Sequence, residues 1–132
     1  MDKIVAVDPG RDKCGLAVLD GQGEIILHKI IAAEKLEEAV RELWQREQPD
    51  RLVIGDGTTS RQAIARLKKI LPELTVETVD EYRTTDEAKL LYWTLNPPAG
   101  LKKFLPVTML TPPGPVDDLA AVVLGRRFLR RK

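Results

Sequence analysis

The sequence predicts one α/β domain built on a mixed five-stranded sheet, with helices on both faces. Three short apolar runs joined by tight turns come first, and helical patterns then alternate with two more apolar runs. Strands joined by hairpins lie antiparallel, whereas strands separated by a helix lie parallel through right-handed crossovers. The order β-β-β-α-β-α-β-α-α therefore predicts three antiparallel strands and then two strands parallel to the first. Because no repeat or linker interrupts the 132 residues, residues 1–132 are expected to form one domain.

The strands and helices are identified from apolar periodicity and from the turn and cap residues that bound them. The predicted strands span residues 3–7, 14–19, 24–31, 51–54 and 74–79. Three helices follow from apolar stripes that include Leu36, Ala63 and Ala88, and a last helix is expected to run from Asp117 or Asp118 towards Arg131. The expected caps are Thr58, Thr59 or Ser60 for the second helix, Thr84 or Thr85 for the third, with Thr84 and Glu87 as a capping box, and Asp117 or Asp118 for the last.

A proline-rich segment separates the last two helices. Residues 96–115 contain six of the nine prolines of the chain, and a short helix is expected near residues 101–105. Irregular segments of this length inside a small domain are often functional or mobile.

The charge of the chain is balanced, with 21 Lys+Arg against 20 Asp+Glu and a net charge of +1. This total does not by itself indicate a nucleic-acid-binding protein. The basic residues are nevertheless clustered, at residues 126–132, at Lys68–Lys69 and at Lys102–Lys103. Each cluster fits either a solvated helix end or a contact with phosphate.

Composition excludes several classes of site. Cys14 is the only cysteine, so an internal disulfide is excluded, and one Cys with one His (His28) cannot form a four-ligand zinc site. No apolar run is long enough for a membrane helix, and the N-terminus lacks the pattern of a signal peptide. A cytoplasmic protein with no membrane partner is expected.

Acidic residues follow the predicted first, fourth and fifth strands, as Asp8, Asp56 and Glu81. The carboxyl ends of parallel strands meet at one edge of the sheet, and neighbouring strands are only about 4.8 Å apart. Clustered carboxylates repel one another, and Mg²⁺ or Mn²⁺ would relieve that repulsion. A pair of such ions can activate water and stabilise the leaving oxygen of a phosphodiester. The alternative is structural, with Asp8 building a turn and Asp117 or Asp118 capping a helix.

Four segments in order resemble motifs of the RuvC-like and YqgF-type nucleases. Residues 7–18 are similar to the first-strand motif, an Asp-x-Gly turn followed by a glycine-containing second strand. Residues 52–55 resemble the fourth strand of the family, and residues 79–88 resemble the Asp-Glu-Arg-x-Thr-Thr-x-x-Ala segment of YqgF. Residues 116–124 resemble the last motif, in which an Asp leads an alanine-rich helix.

The resemblance implies an RNase H-like fold and a two-metal-ion endonuclease. It assigns Asp8, Glu81 and Asp117 as catalytic residues and ligands of Mg²⁺ or Mn²⁺. It also implies a structured nucleic acid as substrate, in rRNA precursor processing or Holliday junction resolution. The chain departs from the YqgF pattern at Tyr82, which displaces the arginine to Arg83, and in the fourth-strand loop of residues 55–60, which is shorter and lacks the proline of the family. The different loop leaves Asp56 as a rival for Glu81, and Asp118 likewise rivals Asp117.

Basic residues supply the expected contacts with nucleic acid. Lys13 and Arg83 are expected at the scissile phosphate, and Lys102, Lys103, Arg126 and Arg127 along the flanking backbone. The apolar and basic last helix is a candidate face for a homodimer.

Two other functions remain open at this point. One is a non-catalytic RNA- or protein-binding module that keeps the same fold. The other is a phosphate-binding domain of the actin and sugar-kinase superfold, which would require a second domain.

Overall fold

The computed structural model describes residues 3–131 as one five-stranded sheet with four α-helices. The strands are β1 (Lys3–Asp8), β2 (Lys13–Asp20), β3 (Ile25–Ala32), β4 (Arg51–Gly55) and β5 (Val76–Val79). The α-helices are α1 (Leu36–Glu47), α2 (Ser60–Ile70), α3 (Thr84–Leu95) and α4 (Asp117–Arg130). Short 3₁₀ helices lie at Ala33–Lys35, Gly100–Phe104 and Val107–Met109. The expected short helix near residues 101–105 is therefore present as a 3₁₀ helix.

The sheet has the predicted mixed topology. Its order is β3-β2-β1-β4-β5, with β1 at the centre. β1 pairs antiparallel with β2 and parallel with β4, β2 pairs antiparallel with β3, and β4 pairs parallel with β5. The carboxyl ends of β1, β4 and β5 therefore lie at the same edge of the sheet.

Alternating residues of β1 face two separate cores. Ile4 and Ala6 pack with the apolar residues of α4, whereas Val5 and Val7 pack with those of α1 and α2. Because side chains alternate along a strand, Asp8 lies on the same face of the sheet as Ala6 and α4. This parity places the carboxylate of Asp8 on the side where the last helix begins.

Most of helix α4 is buried, as its apolar sequence predicts. Its run of small and branched residues, from Leu119 to Gly125, is buried against the sheet. At Gly125 an added Cβ would lie 2.6 Å from the Cδ1 of Leu19, so the absence of a side chain lets α4 pack closely against Leu19 of β2. The apolar side chains from Leu119 to Leu124 are buried in the core of the protein. They do not supply the homodimer face that was expected on this helix.

The starts of α2 and α3 are held by hydrogen bonds other than the predicted capping bonds. The N-cap of α3 is Arg83, in the left-handed region with φ of 60°, and the Thr84 hydroxyl donates to the Glu81 carbonyl over 3.0 Å. Glu87 is paired with Arg127, so the expected capping box of Thr84 and Glu87 is wrong. At α2 the N-cap is Thr59, whose hydroxyl donates to the carbonyl of Pro9 over 2.9 Å and not to its own helix. In both cases the side chain ties the helix start to a neighbouring loop.

Cys14, the single cysteine, is 1% exposed and packs in the core that faces α1 and α2. None of the helices between Lys3 and Arg131 is long and apolar enough to cross a membrane.

Candidate active site

Asp8 is the centre of the candidate site, at the carboxyl end of the central strand. It pairs with Gly15 of β2 in the antiparallel register. The pKa of Asp8 is raised from its ordinary value of 3.8 to about 7, first by burial and then by the negative charges of Asp117 and Glu81. Asp117 and Glu81 are therefore close enough to act electrostatically on the carboxylate of Asp8.

Gly15 allows the start of α4 to reach this edge of the sheet. An added Cβ at Gly15 would overlap the carbonyl oxygen of Asp117 and would lie 2.8 Å from the backbone nitrogen of Asp118. The first residue of α4 therefore rests directly on β2, beside Asp8. Lys13 supplies a positive charge there, with its Nζ 3.8 Å from Oδ2 of Asp117 and half of its side chain exposed.

Glu81 is held over the loop that follows β4. Added Cβ atoms at Gly55 and Gly57 would both meet the Glu81 carboxylate, at 2.8 Å from Oε2 for Gly55 and closer still for Gly57. The backbone N–H of Glu81 also donates to Oδ1 of Asp56 over 3.3 Å. Asp56 thus contacts the main chain of Glu81, which indicates a positioning role for this rival ligand. The two glycines that flank Asp56 thus make room for the Glu81 side chain, a long-range contact that no local sequence pattern indicates.

His28 contacts Asp118, the second of the two adjacent aspartates at the start of α4. Its Nδ1 lies 2.6 Å from Oδ2 of Asp118, which is 17% exposed. Asp117 instead faces Lys13 and interacts with Asp8. The structure therefore distinguishes Asp117, which belongs to the carboxylate group around Asp8, from Asp118, which is bound to β3. No sequence signal linked His28 to Asp118, because 90 residues separate them.

The donor set suits a hard divalent cation. Asp8, Glu81 and Asp117 offer only carboxylate oxygens, the ligands that Mg²⁺ and Mn²⁺ prefer. A cation would also relieve the repulsion that contributes to the high pKa of Asp8. Within residues 3–131, no three or more His, Cys, Asp or Glu side chains lie near enough together to hold one ion. The carboxylates are thus electrostatically coupled, and cation binding would require them to move closer together.

The basic residues expected to contact nucleic acid are spread over the molecule. Arg83 lies near Glu81 in sequence, and its Nε is 3.7 Å from Oδ2 of Asp86. Lys102 and Lys103 are exposed in the second 3₁₀ helix. These three residues, like Lys13, remain available to a ligand as predicted contacts.

Arg126 and Arg127 are bound within the protein. The Nε of Arg126 donates to the carbonyl of Gly23 over 2.9 Å, in the β2–β3 hairpin. That hairpin is at the opposite end of the sheet from Asp8, because Lys3 pairs with Asp20. Arg127 donates to the carbonyl of Asp80 over 2.8 Å and pairs with Glu87. The structure does not bring Arg126 to the carboxylates, and Arg127 would have to leave these partners to bind phosphate.

Comparison with known proteins identifies the fold. No protein-family model and no curated protein matches the sequence. The structure is similar to Thermus thermophilus RuvC in complex with a Holliday junction substrate, with a TM-score of 0.61 and 11% identity over 99% of this chain and 96% of that one. A second Thermus thermophilus RuvC structure gives a TM-score of 0.60 and 11% identity, over 98% of this chain and 96% of that one. The chain therefore has the RuvC-like, RNase H-like fold, and the predicted fold class is confirmed.

Proposed function

We propose that this protein is a divalent-metal-dependent nuclease that hydrolyses phosphodiester bonds in structured nucleic acid. The observation that supports this most directly is the half-buried carboxylate of Asp8, whose pKa is raised to about 7 by burial and by Asp117 and Glu81. Such an arrangement is costly for a carboxylate without a cation, and strongly perturbed groups of this kind concentrate at functional sites. We take residues 1–132 as one catalytic domain, acting in the cytoplasm.

Each residue of the site has a role in this proposal. Asp8, Glu81 and Asp117 would hold Mg²⁺ or Mn²⁺, which when bound activate a water and stabilise the leaving oxygen. Asp8 has to be ionised to act as a ligand, so its proton leaves when the cation binds. Lys13 is half exposed beside Asp117 and can turn towards the scissile phosphate, where an ammonium forms a charge-assisted hydrogen bond.

Two substrates are supported by different observations. The fold is shared with a RuvC protein whose structure contains a Holliday junction, which favours a four-way DNA junction. The segment from Val79 to Ala88 resembles YqgF, which favours an rRNA precursor. Both substrates are polyanions with branched or looped backbones, and both would be contacted by Lys13, Arg83, Lys102 and Lys103.

The proposal is tested by a cleavage assay with Mn²⁺ or Mg²⁺ on a four-way DNA junction and on a precursor rRNA stem. Wild type should cleave at least one substrate, and Asp8→Asn should lose that activity by two orders of magnitude or more, since the removed charge is a metal ligand. Asp12→Asn is the matched control, because Asp12 is exposed in the same loop and outside the carboxylate group. Equal cleavage by wild type and Asp8→Asn would reject the site.

A second candidate function is a non-catalytic module that binds nucleic acid or protein. It is favoured by the lack, among the described residues, of three side chains close enough to ligate one ion. Titration with Mn²⁺ separates the two functions, because a cation that binds the native state must raise its melting temperature. A melting temperature that stays constant up to millimolar Mn²⁺ would favour the non-catalytic module.

A further inference from the structure

The proline-rich segment of residues 96–115, here called the rim loop, projects from a point next to the candidate site. Its two ends meet, because Asn96 and Pro115 line the same cavity of about 530 Å³. His28 and Asp118 line that cavity too, and Pro115 precedes Asp117 by two positions. A long surface loop with joined ends is often a functional element. Nucleic acid bound at Asp8 would therefore pass close to the base of this loop.

The rim loop exposes large apolar side chains that folding leaves uncovered. Leu101 is 85% exposed, Phe104 75%, Met109 69% and Leu105 46%. These residues lie within nine positions of one another on the same segment. A concentration of exposed apolar side chains marks a binding surface, whereas single exposed residues are ordinary.

The charge of the rim loop favours a polyanion. Residues 96–115 contain Lys102 and Lys103 and no acidic residue. The Nζ of Lys103 lies 5.2 Å from the ring centroid of Phe104, so a cation and an aromatic face are presented together. Single-stranded nucleic acids are bound by this combination, with bases stacked on aromatic rings and phosphates contacted by basic side chains.

We propose that the rim loop binds an unpaired strand of the nucleic-acid substrate, with one base stacked on Phe104 and adjacent phosphates contacted by Lys102 and Lys103. This rests on the proposed nuclease function for the choice of a nucleic acid. An unpaired strand is required because the bases of a duplex are already stacked on one another and do not offer a free face. Leu101 and Met109 flank the ring in the chain and add apolar contact with the same strand.

Binding is measured by fluorescence anisotropy with labelled single strands of about 12 nucleotides, in RNA and DNA versions, with the matching duplexes as controls. EDTA is present so that no strand is cleaved. The informative variant is Phe104→Leu, which keeps an apolar side chain and removes the aromatic face. It should lower the affinity for single strands about fivefold or more, whereas Phe104→Trp should retain it. Duplex binding should be weaker than single-strand binding and insensitive to both variants.

Two further variants define how the strand is bound. Lys102→Gln with Lys103→Gln should weaken binding and reduce the slope of log affinity against log salt by about 0.7 for each phosphate that the lysines no longer neutralise. Leu101→Ala removes apolar contact but no aromatic face and should have a smaller effect than Phe104→Leu. All of these side chains are largely exposed, so each variant should fold, which circular dichroism checks.

The results separate this proposal from the proposed function. Single-strand binding that depends on Phe104, without Mn²⁺-dependent cleavage of any substrate, would keep the rim loop site and reject the nuclease. Cleavage by wild type with equal single-strand affinity for wild type and Phe104→Leu would reject the rim loop site alone. Wild type that binds no single strand would also overturn the proposal and would favour an apolar protein partner for these side chains. An affinity that falls equally in Leu101→Ala and Phe104→Leu would overturn it as well, because the aromatic ring would then not be stacked on a base.

Discussion

The substitution Asp8→Asn should stabilise the metal-free protein at alkaline pH. The pKa of Asp8 is raised from 3.8 to about 7, so the folded chain binds a proton between these values that the unfolded chain has released. The free energy of unfolding therefore falls as pH rises from about 4 to about 7, and stays low above that range. Asparagine carries no charge at any of these pH values, and the variant avoids this destabilisation.

The size of this effect follows from the pKa. A rise from 3.8 to about 7 is a roughly thousandfold gain in proton affinity, and each factor of ten corresponds to about 1.4 kcal/mol. Ionised Asp8 would therefore lower the free energy of unfolding by at most about 4 kcal/mol. Because the Asp8 side chain retains some contact with solvent, we expect Asp8→Asn to raise the free energy of unfolding by about 2 kcal/mol at about pH 8.

Urea unfolding of wild type and Asp8→Asn in EDTA, at about pH 5 and about pH 8, measures this difference. At pH 8 the variant should be the more stable protein, and most of its advantage should disappear at pH 5. Asp12→Asn, at an exposed position of the same loop, should change little at either pH. Adding Mn²⁺ at pH 8 should stabilise wild type and not Asp8→Asn. If Asp8→Asn gave no gain at pH 8, the raised pKa of Asp8, and with it the burial of this carboxylate and its repulsion by Asp117 and Glu81, would be refuted.

Three further predictions test the packing around the site. Gly15→Ala should lower the free energy of unfolding by about 1–3 kcal/mol and abolish stabilisation by Mn²⁺, because the added Cβ would overlap the Asp117 carbonyl. Gly114→Ala is the control, since open space surrounds Gly114, and it should leave the melting temperature unchanged. Asp117→Asn should lose the rise in melting temperature with Mn²⁺, and Asp118→Asn should retain it; the reverse result would exchange the two assignments. Leu124→Ala removes a fully buried side chain of α4 and should lower the free energy of unfolding in urea by about 2–5 kcal/mol, and a decrease under about 1 kcal/mol would contradict its burial.

The sequence pattern predicted the fold because each helix and strand is specified by residues that are close together in the chain. Apolar runs, turn residues and helical spacing depend on residues that are close in the chain, and the strand order then follows from connection rules. The placement of Asp8 and Glu81 at one edge of the sheet was predictable for the same reason, since each lies at or just after the carboxyl end of a parallel strand. Their role as metal ligands stays a prediction. The capping box at Thr84 failed because Glu87 pairs with Arg127, a partner 40 residues away that no local pattern shows.

By itself, the sequence determined the order of the elements, the mixed sheet and the edge of the sheet at which β1, β4 and β5 end. Only the tertiary structure decided which of the two adjacent aspartates faces Asp8, because that depends on the missing side chain of Gly15 and on the contact of His28 with Asp118. It also decided that Arg126 lies at the far end of the sheet and that Phe104 is left uncovered. These are contacts between segments far apart in the chain, and their geometry exists only once the sheet and α4 have packed together.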